Sequence, residues 1–311
     1  MDGIVSVIAN QIVVMFLIMA LGFVFYRTKF IDDKGADQLS DIVLYVANPI
    51  LIAQALMRDF DMDLLIGAGW VALLAAVTIG LAGLLGFVVY RDGSAHFEIG
   101  RFSMLFSNAG FIGIPLALAT VGQDGVFYIS VANTVQTALV WTYGVLVVSG
   151  DRREVAPKKV LLNPAILALV VGLVCFLASW QPPAVISQAL DTLGSLNTGL
   201  VMLVLGCYLG QSRLGELLRD VQIYKVSVLR LLAMPLITLG VLLVLARVVH
   251  LDTSVQLGVL MYQAMPVAAV ASLFAHKYDH DGDFATGAVA VTTSFSLVTL
   301  PFMMLLASLT L

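Results

Sequence analysis

Polar positions along this chain are gathered into short intervals. Between them run apolar stretches of about 20 residues, the length that crosses the hydrocarbon core of a bilayer as a helix. Ten stretches are read, at residues 4–26, 39–57, 64–90, 99–120, 125–149, 160–180, 192–211, 224–248, 254–275 and 284–310. Outer-membrane strands would instead alternate apolar and polar positions over about ten residues each, and no such alternation is present. Connections are short, such as Arg58-Asp59-Phe60-Asp61 and Gln181-Pro182-Pro183. None is long and polar enough to form a separate soluble domain. The pattern predicts an all-α polytopic membrane protein of ten transmembrane helices.

Composition agrees. Of 311 residues, 60% are hydrophobic and 12% charged, against about 25% charged in soluble domains, and the mean hydropathy is +1.00. The net charge of −4 carries no basic block, so no nucleic-acid partner is expected. Cys175 and Cys207 lie inside apolar runs and read as small buried hydrophobes rather than a disulfide. Met1-Asp2-Gly3 is acidic and the run Ile4 to Tyr26 is too long for a signal-peptide core, so it is read as the first helix.

Basic residues set the orientation. Connections after the odd-numbered stretches hold Arg27, Lys29, Lys34, Arg91, Arg101, Arg152, Arg153, Lys158, Lys159, Arg213, Arg219, Lys225 and Lys277; the opposite side holds Arg58 and Arg247. The expectation is a multi-pass protein of the inner (plasma) membrane with both termini outside the cytoplasm. Arg230 lies a few residues inside the eighth stretch, from where it is expected to snorkel toward the basic side.

The fourth stretch is interrupted at Asn108-Ala109-Gly110-Phe111-Ile112-Gly113-Ile114-Pro115, the ninth at Gln263-Ala264-Met265-Pro266. Proline removes a backbone donor and clashes with the preceding turn, and glycine tolerates non-helical backbone. Broken backbone at membrane depth survives only where protein or a wet cavity surrounds it. Other features repeat too: Asp41 then Asn48-Pro49 in the second stretch, Asp191 then Asn197 in the seventh, and Asp124-Gly125 and Asp281-Gly282 after the two interruptions. Five stretches per half is odd, so the second half enters the membrane inverted. The expected organisation is a first repeat over 1–150, a short cytoplasmic linker over 151–159 and a second repeat over 160–311. Helices four and nine are then broken and cross near the membrane centre, the pattern of a secondary transporter.

These residues also resemble a known family. Asn108 to Leu116 is similar to the fourth-helix signature of the auxin efflux carriers, and Leu162-Asn163-Pro164-Ala165-Ile166 with Gly172-Leu173 to their sixth-helix signature. Ala264-Met265-Pro266 with Ala275-His276-Lys277-Tyr278, and Thr292-Thr293-Ser294 through Leu300-Pro301, resemble their ninth and tenth helices. The resemblance implies a fold shared with plant PIN-type carriers and, more distantly, bile-acid sodium symporters. It further implies a homodimer, a scaffold of helices one, two, six and seven, and a mobile body of helices three to five and eight to ten. The link between helices five and six, about Asp151 to Lys159, lacks the extended loop of the long plant carriers. It looks like the prokaryotic members, which implies malonate, malate or a related organic anion as substrate.

Candidate substrate-binding residues gather at the interruptions: Asn108, Gly110, Gly113, Ile114 and Pro115, with Gln263, Met265 and Pro266. Half-helices beginning after Pro115 and Pro266 would offer N–H groups and positive dipole ends to an anion. The alternative is that Pro115 only kinks a packed helix. Asn133 and Gln136 share a helical face with amides suited to a carboxylate. Thr292 and Thr293 either join them or bond between helices. Asn48, Pro49 and Asn197 are candidates for a helix bend or cavity lining. Asn163-Pro164 reads as a helix start. Gly206-Cys207-Tyr208-Leu209-Gly210 fits close helix packing, at a dimer face or internally.

His276, Asp279, His280, Asp281 and Asp283 form the one metal-like cluster and read as a solvated turn. No nucleotide-binding Gly-Lys-Ser/Thr loop is present, and the four histidines fall near helix ends. The expectation is neither an enzyme nor an ATP-driven pump, with no cofactor or resident metal. It is a carrier of small organic anions working by alternating access, driven by H+, Na+ or the membrane potential. The alternatives are a sodium-coupled bile-acid-like symporter and a receptor that binds without flux.

Overall fold

The computed structural model describes residues 2–311 apart from 92, 94–95, 156–157, 159–160 and 212–219. Lys159, Arg213 and Arg219 of the charge count, and part of the expected linker, therefore lie outside the described residues. The regular elements are helices: α1 (Asp2–Arg27), α2 (Asp33–Ile42), α3 (Asn48–Gln54), α4 (Met62–Val89), α5 (Phe97–Leu105), α6 (Ile114–Thr120), α7 (Gln123–Leu139) and α8 (Val145–Ser149). There follow α9 (Pro164–Leu177), α10 (Ala184–Gln211), α11 (Val221–Val228), α12 (Met234–Leu245), α13 (Thr253–Ala264), α14 (Val270–Lys277) and α15 (Gly282–Thr310).

Among the described residues, four continuous helices are long and apolar enough to cross a membrane: Met62–Val89, Gln123–Ser149, Ala184–Gln211 and Val221–Leu245. Gly282–Thr310 is a fifth, bent by 51° between Ser296 and Val298. Pro301 explains the bend, because its ring clashes with the carbonyl four residues earlier. Shorter apolar helices cover Val13–Arg27, Ala109–Thr120 and Pro164–Leu177. Large apolar side chains stand bare on the outside, among them Leu84, Phe87, Val244 and Val298. A soluble protein would bury such a surface; lipid accepts it. The protein is a polytopic helical membrane protein.

Three interior prolines leave their helices continuous, by one device. Pro49, Pro115 and Pro235 each follow a five-residue π turn, at Val43–Ala47, Ala109–Gly113 and Leu229–Ala233. A π turn shifts bonding from i→i+4 to i→i+5, making room for a ring and a missing donor. Pro115 therefore does not break its helix. The helix N-termini follow sequence chemistry more directly. Asn163 caps α9, accepting from Ala165 N at 2.9 Å, with Pro164 in the first turn. Asp61 and Asp281 cap α4 and α15.

Two helices begin earlier than the stretches read at 39–57 and 192–211, so Asp41 and Asp191 do not stand at helix starts. Asp41 lies in the last turn of α2, which starts behind the cap Asp32. Asp191 lies within α10, which begins at Ala184, and its carboxylate accepts from Gln54 Nε2 at 2.7 Å. Polar residues preceding an apolar run concealed the earlier starts of both helices.

Alpha1 and α10 lie in near backbone contact. A Cβ at Gly22 would meet Leu203 O at 2.2 Å, and one at Gly206 would meet Met19 O at 2.0 Å. Only hydrogen fits there. Gly206 thus serves an internal helix contact, settling the choice left open by sequence. Alpha9 packs on α3, where Gly172 faces Leu56, and α10 also faces α3 through Gly194. Alpha4, α7 and α13 pack together, with Tyr128 filling the notch at Gly67.

Candidate functional site

Both interruptions open onto one buried point. Alpha5 ends at Leu105, the chain is extended at Phe106 and non-helical at Asn108 (φ −84°, ψ 44°), and it turns helical again at Ala109. Alpha13 ends at Ala264, and Met265 is extended (φ −67°, ψ 148°). Pro266 accounts for the second break, since the residue before a proline is driven out of the helical region. No proline accounts for the first. Ser107 and Val267 instead form an isolated antiparallel bridge. Asn108 N donates to Pro266 O at 2.8 Å, and Ala268 N donates to Phe106 O at 3.1 Å. Each broken segment satisfies the other, as backbone at this depth must be. The expected starting points are corrected accordingly: the second halves begin at Ala109 and Val270, and Pro115 lies one and a half turns inside its half-helix.

Side chains complete the backbone pairing. Gln136 Oε1 accepts from Ser107 N at 2.7 Å, Ser107 Oγ at 3.1 Å and Tyr262 OH at 2.9 Å, while its Nε2 donates to Ser107 O at 2.8 Å. Thr292 Oγ1 plays the matching part, accepting from Val267 N at 3.1 Å and donating to Ala288 O at 2.6 Å. Gln263 Nε2 donates to Thr78 Oγ1 at 2.8 Å. The amides and hydroxyl expected to meet a ligand at Gln136, Gln263 and Thr292 are thus largely engaged in holding the crossing.

Other polar atoms of the candidate residues are buried with no partner, a state that costs about 1–3 kcal/mol each. They include Asn108 Nδ2, Asn48 Oδ1, both amide atoms of Asn197, Gln263 Oε1 and Thr293 Oγ1. Asn48 also reaches across to the broken helix, its Nδ2 donating to Gly110 O at 2.9 Å. Gly110 faces Asn133, whose amide a Cβ would meet at 3.5 Å. Pro49 follows the π turn that positions Asn48. Gly113 has another function, since a Cβ there would strike Ile129 at 2.5 Å. Ile114 and Pro115 are buried in the same packing.

One residue at the crossing overturns its expected place. Arg230 does not snorkel: it is the one charged side chain fully buried among the described residues. Its Nη1 donates to Met104 O at 2.9 Å and its Nε to Met265 O at 3.2 Å. It sits on the π turn Leu229–Ala233, about 14 Å along the helix from Val221. A charge at the centre of a membrane helix costs about 2.5–3.5 kcal/mol on insertion scales, so its place in the eighth stretch was the available signal.

The basic-side turns gather elsewhere. His96 Nδ1 faces Asp281 at 3.1 Å, Lys277 Nζ faces Glu154 at 3.3 Å, and His280 Nε2 lies 2.6 Å from Val148 O. No group of three metal-binding side chains occurs among the described residues, and the His276 side chain lies outside them.

Two broken helices paired in the interior of a helical membrane protein are an arrangement that secondary transporters use, and comparison with known proteins agrees. A family described as "Membrane transport protein" matches residues 7–304. The chain belongs to that family, which is the auxin efflux carrier family its motifs resemble. It is 26% identical over 293 residues to an uncharacterized transporter of Methanothermobacter thermautotrophicus, covering 92% of this chain and 93% of the relative. An uncharacterized transporter of Methanocaldococcus jannaschii is 23% identical over 301 residues, covering 92% and 95%.

Proposed function

We propose that this membrane transporter carries small organic anions, mono- or dicarboxylates such as malonate or malate, by alternating access. The observation that carries the reading is the crossing itself. Two paired backbone breaks bring helix N-termini together beside Asn108, whose buried Nδ2 donor the protein leaves unpartnered, and the Asn197 amide is a second buried donor without a partner. Such groups suit a carboxylate, which accepts several hydrogen bonds and favours the positive end of a helix dipole.

The chain is read as two inverted five-helix repeats. The matched roles of Gln136 and Thr292 support this, as does the reciprocal pairing of residues 106–108 with 266–268. Alpha1, α2, α3, α9 and α10 then form the scaffold, and the remaining helices form the body that moves in elevator fashion. Between these groups lies a small apolar cavity lined by Met15, Met19 and Met202 on one side and Ile112, Leu116 and Leu300 on the other. Flexible thioethers along such a seam suit a surface that must repack as it slides. Homodimerisation and both termini outside the cytoplasm belong to the same reading.

Purified protein in liposomes, assayed with labelled mono- and dicarboxylates, tests it. Saturable flux of at least one acid is expected, and Na+ or H+ gradients identify the coupling ion. Strict dependence on Na+ would favour the bile-acid-like symporter. Binding without flux would favour a receptor.

A further inference from the structure

Arg230 bears on which ligands the crossing accepts. No carboxylate among the described residues pairs with it, and its Nη2 has no hydrogen-bond partner. Its two bonds go to Met104 O and Met265 O. These carbonyls belong to the closing turns of α5 and α13, the half-helices that run into the crossing. A helix C-terminus carries about half a negative charge, so two of them roughly match one guanidinium. The half-helices that leave the crossing begin at Ala109 and Val270, and by the same accounting present about half a positive charge each. Asn108, at the head of the first, is buried with Nδ2 unpartnered.

We propose that Arg230 determines the charge selectivity of this site: by cancelling the two C-terminal ends, it leaves the N-terminal ends and the Asn108 amide unopposed. The crossing then holds an excess of about one positive charge, and its ligand presents one carboxylate to it. Any second carboxylate of a diacid finds no further positive charge at the crossing. Arg230 acts through the backbone it caps, as a positioning residue. The inference rests on the reading of the crossing as an anion site.

The test uses acid and amide pairs of similar shape: acetate with acetamide, malonate with malonamide, and benzoate with benzamide. Binding to the purified full-length protein is measured for wild type, Arg230→Lys and Arg230→Gln, by thermal stabilisation and by competition in liposome flux. Wild type is expected to prefer at least one acid over its amide. Arg230→Gln lowers that acid-to-amide ratio about tenfold or more, the order for one partly screened unit charge. Arg230→Lys, which keeps the charge but loses the planar fork, retains the ratio within a few fold even where both affinities drop. An unchanged ratio in Arg230→Gln would overturn the inference and leave Arg230 a brace of the fold. If Arg230→Gln does not fold, Arg230→Lys decides: a kept ratio supports the proposal and a lost one overturns it. A wild type with no acid preference sinks the anion reading itself, a result distinct from either.

Discussion

Gln136 grips both main-chain polar groups of Ser107, accepting from its N–H at 2.7 Å and donating to its carbonyl at 2.8 Å. A side-chain amide here does the work of a third strand, at a depth where no lipid group can. The broken helix is therefore braced from α7 as well as by the opposing break.

Truncating that amide leaves the Ser107 N–H and carbonyl unsatisfied and removes the acceptor of Tyr262 OH. Gln136→Ala is expected to destabilise the protein by about 2–6 kcal/mol, at about 1–3 kcal/mol for each of the two orphaned backbone groups. Thr292→Val orphans only Val267 N and should cost about half as much by the same rule. Thermal unfolding in detergent measures both. Equal and negligible effects would mean that the crossing does not need these partners.

How far this could be read in advance differs between the two breaks. Pro266 marks its break because proline restricts the residue before it. The break at Phe106 to Asn108 carries no local signal; partners from Pro266, Ala268 and Gln136 hold it out of the helix. Pro115 points to the right helix but the wrong residue, since a π turn absorbs it. The membrane class, the buried position of Asn108, the cap at Asn163 and the pairing of the fourth and ninth stretches were legible from type and spacing. Whether a given amide is engaged, like Gln136, or free, like Asn108 Nδ2, depends on contacts from distant segments. That information lies in the tertiary structure.

Glycine substitutions test the α1–α10 contact. Gly206→Val and Gly22→Val place side-chain atoms on the backbone of the facing helix and are expected to cost more than about 3 kcal/mol, the scale of severe overpacking. Gly199, on the same α10, has open space where its Cβ would be. Gly199→Ala should be neutral or stabilise by about 0.5–1 kcal/mol through helix propensity. Melting curves of the three variants check the contrast.

Arg58, in the turn before α4, pairs with Asp124 in the first turn of α7, and both are partly exposed. Such a pair contributes about 0–1 kcal/mol, so Asp124→Asn should leave the melting temperature nearly unchanged. In the proposed division it links scaffold to moving body. Removing it should raise initial flux, by up to about fivefold if the whole ~1 kcal/mol held the present state. Unchanged flux would show that the pair does not restrain movement.

The central claim, that the crossing is the transport site, is tested most directly at Asn108. Its Nδ2 has no partner within the protein, so Asn108→Ala removes no known bond to that nitrogen. The decisive measurement is uptake of a transported carboxylate into liposomes by Asn108→Ala at matched protein density, beside its melting curve. The account predicts flux reduced at least about tenfold, the loss for one hydrogen bond to a charged ligand, with the melting temperature held or raised. Full flux at unchanged stability would contradict it.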